Sequence, residues 1–225
     1  MSRIARIVVI GLVLVLTSAV GVVAGSSAQP AGHEHSSVNA GRSSREDFRA
    51  DMRKLWEDHI TWTRQYIVSA ATLPGDLPDI GPTADRLFAN QEDIGAAVGS
   101  FYGDAAGAAL TDLLKEHIAI AAEAIAKAKA GDQPGLQAAL DAWYVNADEI
   151  ARFLADANPR SWPFEEMRAH MRDHLDLTLA EAVARLQGDY VADIAAYDAV
   201  HGQILEMADM LADGIIAAFP ERFGR

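Results

Sequence analysis

The chain has 225 residues, half of them hydrophobic, with 32 acidic against 19 basic side chains and a formal net charge of −13. That charge repels phosphate backbones and anionic lipid headgroups, so nucleic acid is not an expected partner. Cysteine is absent, which excludes disulfides, thiolate metal sites and covalently attached haem and leaves the core alone to hold the fold.

The chain opens with Arg3 and Arg6, continues in an apolar run from Ile7 to Gly25 and reaches the small residues Ser26, Ser27 and Ala28. This is the pattern of a secretory signal peptide over 1–28, and the apolar run is nearly long enough to serve instead as an N-terminal anchor. Either reading exports the remainder, making it secreted or cell-envelope associated, and membrane contact is expected only through this segment if it is uncleaved. From 29 to 43 the composition is Gly, Ser, Ala and His, too poor in apolar surface to order itself, so a flexible tether is expected. Its Gly32-His33-Glu34-His35 run resembles a weak metal-capturing tail but reads as plain linker.

A helical domain is predicted over 44–223. Ser44 with Asp47 three residues on offers a capped start, and Phe48, Met52, Leu55, Trp56, His59, Thr63, Tyr66, Ile67 and Ala70 recur at helical spacing. Three prolines and two glycines between Thr72 and Thr83 stop that helix. A second helix runs from Thr83 toward Tyr102, and a third from Asp104 to Gly131 with Leu110, Leu114, His117, Ala121 and Ile125 inward. The fourth follows Pro134 and ends at Asn158-Pro159. The fifth starts near Ser161 and Pro163 and carries Met167, Met171, His174, Thr178 and Ala182. Gly188-Asp189 marks a break or kink before a last stretch to Pro220. No segment alternates with period two. The expected fold is all-α, an up-and-down bundle of four long helices with one or two extra short ones. Gly95, Gly99, Gly103 and Gly107 recur every four residues, a stripe that serves packing or turning, with Gly103-Asp104 favouring a break.

The chemistry-bearing pattern is histidine. His59, His117, His174 and His201 each fall on the apolar face of a different predicted helix, as in interior metal sites of helical bundles. Glu181 and Asp198 are the carboxylates assigned beside them, with Glu116, Glu149 and Asp209 also close to the inner faces. The set implies one or two divalent transition-metal ions: zinc, iron, manganese or copper. Thr63 and Thr178 follow His59 and His174 by one turn, and with Asn146 and Glu149 on the fourth helix they are assigned to a cofactor pocket. The segments Asp58-His59-Ile60-Thr61-Trp62-Thr63 and Asp173-His174-Leu175-Asp176-Leu177-Thr178 echo each other, which points to a duplicated two-fold bundle. A di-iron bundle wants Glu-x-x-His pairs, and only Asp198-x-x-His201 approximates one. His170 and His174 stand four apart, but Met171 occupies the place where a zinc protease carries Glu.

No Gly-x-Ser-x-Gly setting or nucleotide fingerprint occurs, so no catalytic residue is assigned and enzyme status stays open, leaning to a non-enzyme. The competing reading is an acidic envelope protein that presents its surface to a protein partner or to itself, with histidines serving only the core.

At Leu55-Trp-Glu-Asp-His-Ile-Thr-Trp-Thr-Arg64, Phe101-Tyr-Gly103, Lys115-Glu-His117, Trp143-Tyr-Val-Asn-Ala-Asp-Glu-Ile150 and Met207-Ala-Asp209 the chain resembles an uncharacterised bacterial family of small helical-bundle proteins. Some members go by names such as glycosyltransferase or acetylglutamate kinase. The chain has neither the nucleotide-binding α/β pattern nor the strands those activities require, so the resemblance implies a helical fold and no activity.

Overall fold

The computed structural model describes residues 44–73 and 75–224. The expected signal or anchor (1–28) and the tether lie outside the described residues. Among the described residues six helices follow one another: α1 Ser44–Ala70, α2 Ile80–Tyr102, α3 Asp104–Ala130, α4 Gln133–Ala157, α5 Phe164–Gln187 and α6 Tyr190–Ala218, with a 3-10 turn at Pro220–Phe223. Among the described residues there is no strand, and no helix is long and apolar enough to cross a membrane.

All six helices are long, the shortest having 23 residues and the longest 29, where the sequence led us to expect four long and one or two short. Part of the difference is Pro82. It falls in the first turn of α2, where a missing N–H costs no intrahelical bond, so the helix starts at Ile80 rather than Thr83. The connections are short. Gly103, at φ 93, is the sole residue between α2 and α3. Gly131 and Gly188 close α3 and α5 in the left-handed conformation that glycine adopts without strain, while Asp132 and Asp189 cap the next helices by accepting from the amides of Gly135 and Ala192.

Such short links fold each helix back on its predecessor. Every helix packs on its chain neighbours, α6 packs on α1, and α1 also reaches α3 and α5. The result is a closed ring of six helices. At the seam between its ends, Arg49 pairs with Asp213 at 2.6 Å, Arg53 with Asp209 at 2.6 Å, and the Ser44 hydroxyl donates to the Phe223 carbonyl. The ion pairs are solvent-exposed, so each contributes at most about 1 kcal/mol.

The core runs the length of the ring, with Met52, Ile60, Ile94, Ile150, Trp162, Leu175, Ile204 and Ile215 almost wholly enclosed. Two contacts need glycine. A Cβ on Gly214 would lie 2.1 Å from the Trp162 indole nitrogen, and one on Gly107 would lie 2.7 Å from the Gly95 carbonyl oxygen and 2.9 Å from the Gly99 Cα. The glycine stripe therefore seats α3 directly on α2, while Gly103 makes the turn.

Sequence and contacts together show three copies of a helical hairpin rather than two halves. On α1, α3 and α5 the copies read Asp58-His59-Ile60, Glu116-His117-Ile118 and Asp173-His174-Leu175. On α2, α4 and α6 they read Asn90 with Ile94-Gly95, Asn146 with Ile150-Ala151, and Gln203 with Met207-Ala208. The amide nitrogens of Asn90, Asn146 and Gln203 donate to the carbonyls of Leu55, Leu113 and His170 at 3.0, 3.2 and 3.0 Å. Each of those carbonyls lies one turn before the hairpin's histidine. The middle copy escapes the sequence echo because Glu116 replaces Asp and Ala121 replaces Thr.

Candidate functional site

The repeat places one histidine per hairpin in a single layer of the core. His59, His117 and His174 are 3%, 3% and 4% exposed. The ring centroids of His59 and His174 are 5.8 Å apart and those of His117 and His174 are 6.4 Å apart. Trp56 and Trp143 flank the layer, their rings 5.7 Å from His59 and 5.2 Å from His117.

Each imidazole is held at Nδ1 by a carboxamide on the following helix. His117 Nδ1 lies 2.7 Å from Asn146 Oδ1, and His174 Nδ1 lies 3.3 Å from Gln203 Oε1. Both amides donate through nitrogen to a main-chain carbonyl, which fixes their orientation. The Nδ1 atoms of His117 and His174 are therefore the protonated ones, and their Nε2 atoms carry free lone pairs. His59 differs, because its Nδ1 faces the Gln91 nitrogen at 3.2 Å. That nitrogen also donates to Leu87 O and Asn90 Oδ1, so its two hydrogens serve three acceptors and His59 is the least firmly held of the three.

Among the described residues no hydrogen bond reaches the Nε2 atoms of these rings, and His117 Nε2 is a buried atom without any partner. Thr63 Oγ1, Gln91 Oε1 and the indole nitrogens of Trp56 and Trp143 are buried and unpartnered as well. Burial holds the imidazoles neutral. It lowers the pKa of His117 to about 3, with the neighbouring His174 adding to the effect, and that of His174 to about 4. It lowers that of His59 well below the ordinary value, assisted by both other rings. Neutral imidazole with its second nitrogen hydrogen-bonded is the form in which histidine ligates metals. Among the described residues no three His, Asp or Glu groups already stand in coordinating geometry. Three imidazoles on one ion at ~2.0–2.1 Å would bring ring centroids to about 5–5.5 Å, so the 5.8 Å and 6.4 Å pairs would close by between about 0.3 and about 1.4 Å.

The other assigned residues divide. Asn146 is buried and positions His117. Thr63 and Thr178 are buried one turn below the layer, but the Thr178 hydroxyl is spent on the His174 carbonyl at 2.8 Å. Glu149 and Asp198 face solvent. His201 sits at the surface with Nε2 3.2 Å from Glu57, so the fourth histidine, Asp198 and Glu149 do not join the layer. Glu181 is fully buried but accepts from Arg64 Nη1 at 2.9 Å. Arg64 also grips the fully buried Asp193, which takes Arg185 at 3.3 Å. Burial raises the Glu181 pKa against the pull of Arg64. Burial pushes that of Asp193 up too, yet Arg64 and Arg185 outweigh it and the net direction is down. Glu181 is tied to this cluster through Oε1, while its Oε2 is buried without a partner. The positioning residues that sequence reasoning missed are Asn90, Gln91 and Gln203. Their signal was available: each lies on the helix after a histidine, at or beside the position Asn146 occupies in its own copy.

No protein-family model matches the chain, and no curated protein or solved structure is significantly similar to it.

Proposed function

We propose that the protein binds a transition-metal ion at the layer formed by His59, His117 and His174, within an all-helical bundle that the first 28 residues direct out of the cytoplasm. One observation carries the reading: three buried, neutral imidazoles from three hairpins share one layer, and in His117 and His174 a carboxamide oxygen accepts from Nδ1 and leaves the Nε2 lone pair free. His59, by contrast, accepts the Gln91 amide at Nδ1 and would have to exchange its tautomer to serve as the third ligand. In His117 and His174 the carboxamide oxygens fix the tautomer and raise ligand basicity, as partners behind metal-bound histidines do. An all-imidazole set suits zinc, copper or iron better than manganese, which prefers oxygen. No role for nucleic acid is proposed, and the acidic surface supports none.

A second reading has its own observation. Each imidazole already has an amide partner, which is how a purely structural polar layer satisfies itself. Elemental analysis separates the two. The full chain is prepared untagged, with His33→Gln and His35→Gln to silence the tail, and is dialysed against a weak chelator. Near-stoichiometric metal that disappears in H117Q and H174Q, with helicity retained, supports the site. A folded, metal-free protein whose melting temperature does not respond to added zinc, copper or iron supports the structural layer instead.

A further inference from the structure

Directly beneath the histidine layer the core is underfilled. A crevice with a cavity volume of about 60 Å³ runs between the C-terminal halves of α1, α3 and α5, lined among others by Thr63, Ile67, Ala121, Ile125, Thr178 and Ala182. Its inner end meets the layer. Thr63 and Thr178 lie one turn from His59 and His174, Ile118 follows His117, and Trp143 packs on His117.

The triplicated hairpin explains why the space is open. Eight residues after the histidine the first two copies carry Ile67 and Ile125, and the third carries Ala182. Four residues after it the outer copies carry threonine and the middle copy Ala121. Two departures toward alanine face the same void. Interiors pack to crystal density and a void lowers stability in proportion to its volume, so the shortened side chains carry a standing cost. Enclosed apolar cavities stay dry, and one of about 150 Å³ holds benzene or xenon. This one has less than half that volume.

We infer that the crevice is a pocket for a small apolar molecule of the size of dioxygen, held against the histidine layer. The lining gives such a molecule almost wholly apolar contacts and asks for no hydrogen bond, while the outer end opens past Val183 and Leu186. The unpartnered Thr63 hydroxyl and Trp143 indole nitrogen barely reach the lining surface, so a water molecule there falls short of the two to four polar partners it needs. The inference does not depend on a metal in the layer, and its test does not use one.

The probe is dioxygen itself, whose paramagnetism speeds relaxation of nearby methyl protons. Spectra of the full chain are recorded under nitrogen and under a few bar of dioxygen. The expected result is enhanced relaxation at Ala182 and Ile67, several-fold above that at Ala147 and Ala151, which are likewise buried but elsewhere in the core. A182I inserts the side chain that the other two copies carry and should abolish the enhancement while leaving the fold intact. If A182I unfolds, A121V fills the same void from α3 and serves in its place. Equal enhancement at all buried methyls overturns the pocket. Saturable binding of benzene overturns its size, and persistence of the signal in the folded filled variant overturns its location. Dioxygen concentrated here in a protein whose melting temperature ignores added zinc, copper and iron refutes the metal reading alone.

Discussion

Asn146 grips both ends of the turn that carries His117: its oxygen accepts from Nδ1 at 2.7 Å while its nitrogen donates to the Leu113 carbonyl at 3.2 Å. One side chain thus fixes the ring's tautomer and ties α4 to α3. Asn146→Leu keeps the volume and strands the Nδ1 hydrogen in the core. A loss of about 1–3 kcal/mol is expected in urea unfolding, the cost of one buried unsatisfied group. Imidazole nitrogen shifts should report loss of the fixed tautomer, and metal affinity should fall about 10–100-fold. An unchanged tautomer would mean that Asn146 does not set it.

The three imidazoles set a pH dependence whose sign follows from their direction of shift. In the unfolded chain they protonate near the ordinary value of 6.5, whereas in the fold His174 resists protonation to about 4 and His117 to about 3. Between those limits the unfolded state binds more protons, so stability falls as pH falls. Full stability above pH 6.5 and a declining urea midpoint from there toward 4 are expected. H117Q should flatten the slope. Asp148, held below its usual value chiefly by Arg172 and also by Arg168, adds a further loss only at more acid pH.

Arg64 pairs with two fully buried carboxylates, one of them shared with Arg185, so its removal should cost more than a surface pair. Arg64→Met is expected to destabilise by about 3–5 kcal/mol, read from the denaturant midpoint. Adding Glu181→Gln should recover part of that loss, because it removes the charge left without a partner. Additive losses from the two changes would show that they do not act on the same charge.

Gly214→Ala forces a methyl against the Trp162 ring, and Gly107→Ala forces one against the α2 backbone. Each should lower stability by at least about 1–3 kcal/mol, the usual cost of overpacking, and the melting temperature by about 2–4 °C per kcal/mol for a domain of this size. Gly202→Ala, with open space around its Cβ, is the matched control and should be neutral or stabilising.

The helix ends and the inward histidines were legible because they rest on local signals. Proline, glycine and Asp caps set the ends. On α1, α3 and α5 the residue before each inward histidine is acidic, Asp58, Glu116 or Asp173, which marks the histidine as the turn toward the core. On α6 that contrast fails. The helix is apolar on several sides, and the sequence admits a stripe through His201 and Leu205 as readily as the true one through Val200, Ile204, Met207 and Leu211. A shift of one residue, about 100° of rotation, turns His201 and Asp198 to solvent. Glu149 fails in the same way beside Asn146 and Ile150. Glu181 was placed correctly as interior, but its partner Arg64 lies 117 positions away, beyond the reach of any local pattern. The ring of six was hidden for a related reason. Helix lengths are local, whereas the contact of α6 with α1 that closes the circle is written only in side chains such as Arg49 and Asp213.

That closing contact bears on how the layer comes to exist at all. Each hairpin brings one imidazole, so no fragment of one or two hairpins owns the complete set, and the set is assembled only when the seam shuts. The seam joins Ser44 to Phe223, so a short glycine-serine bridge between those ends, with new termini opened at Gly103, would reorder the chain while keeping every helix in place. The permuted protein should melt cooperatively and keep its three histidines buried, because a ring has no first helix.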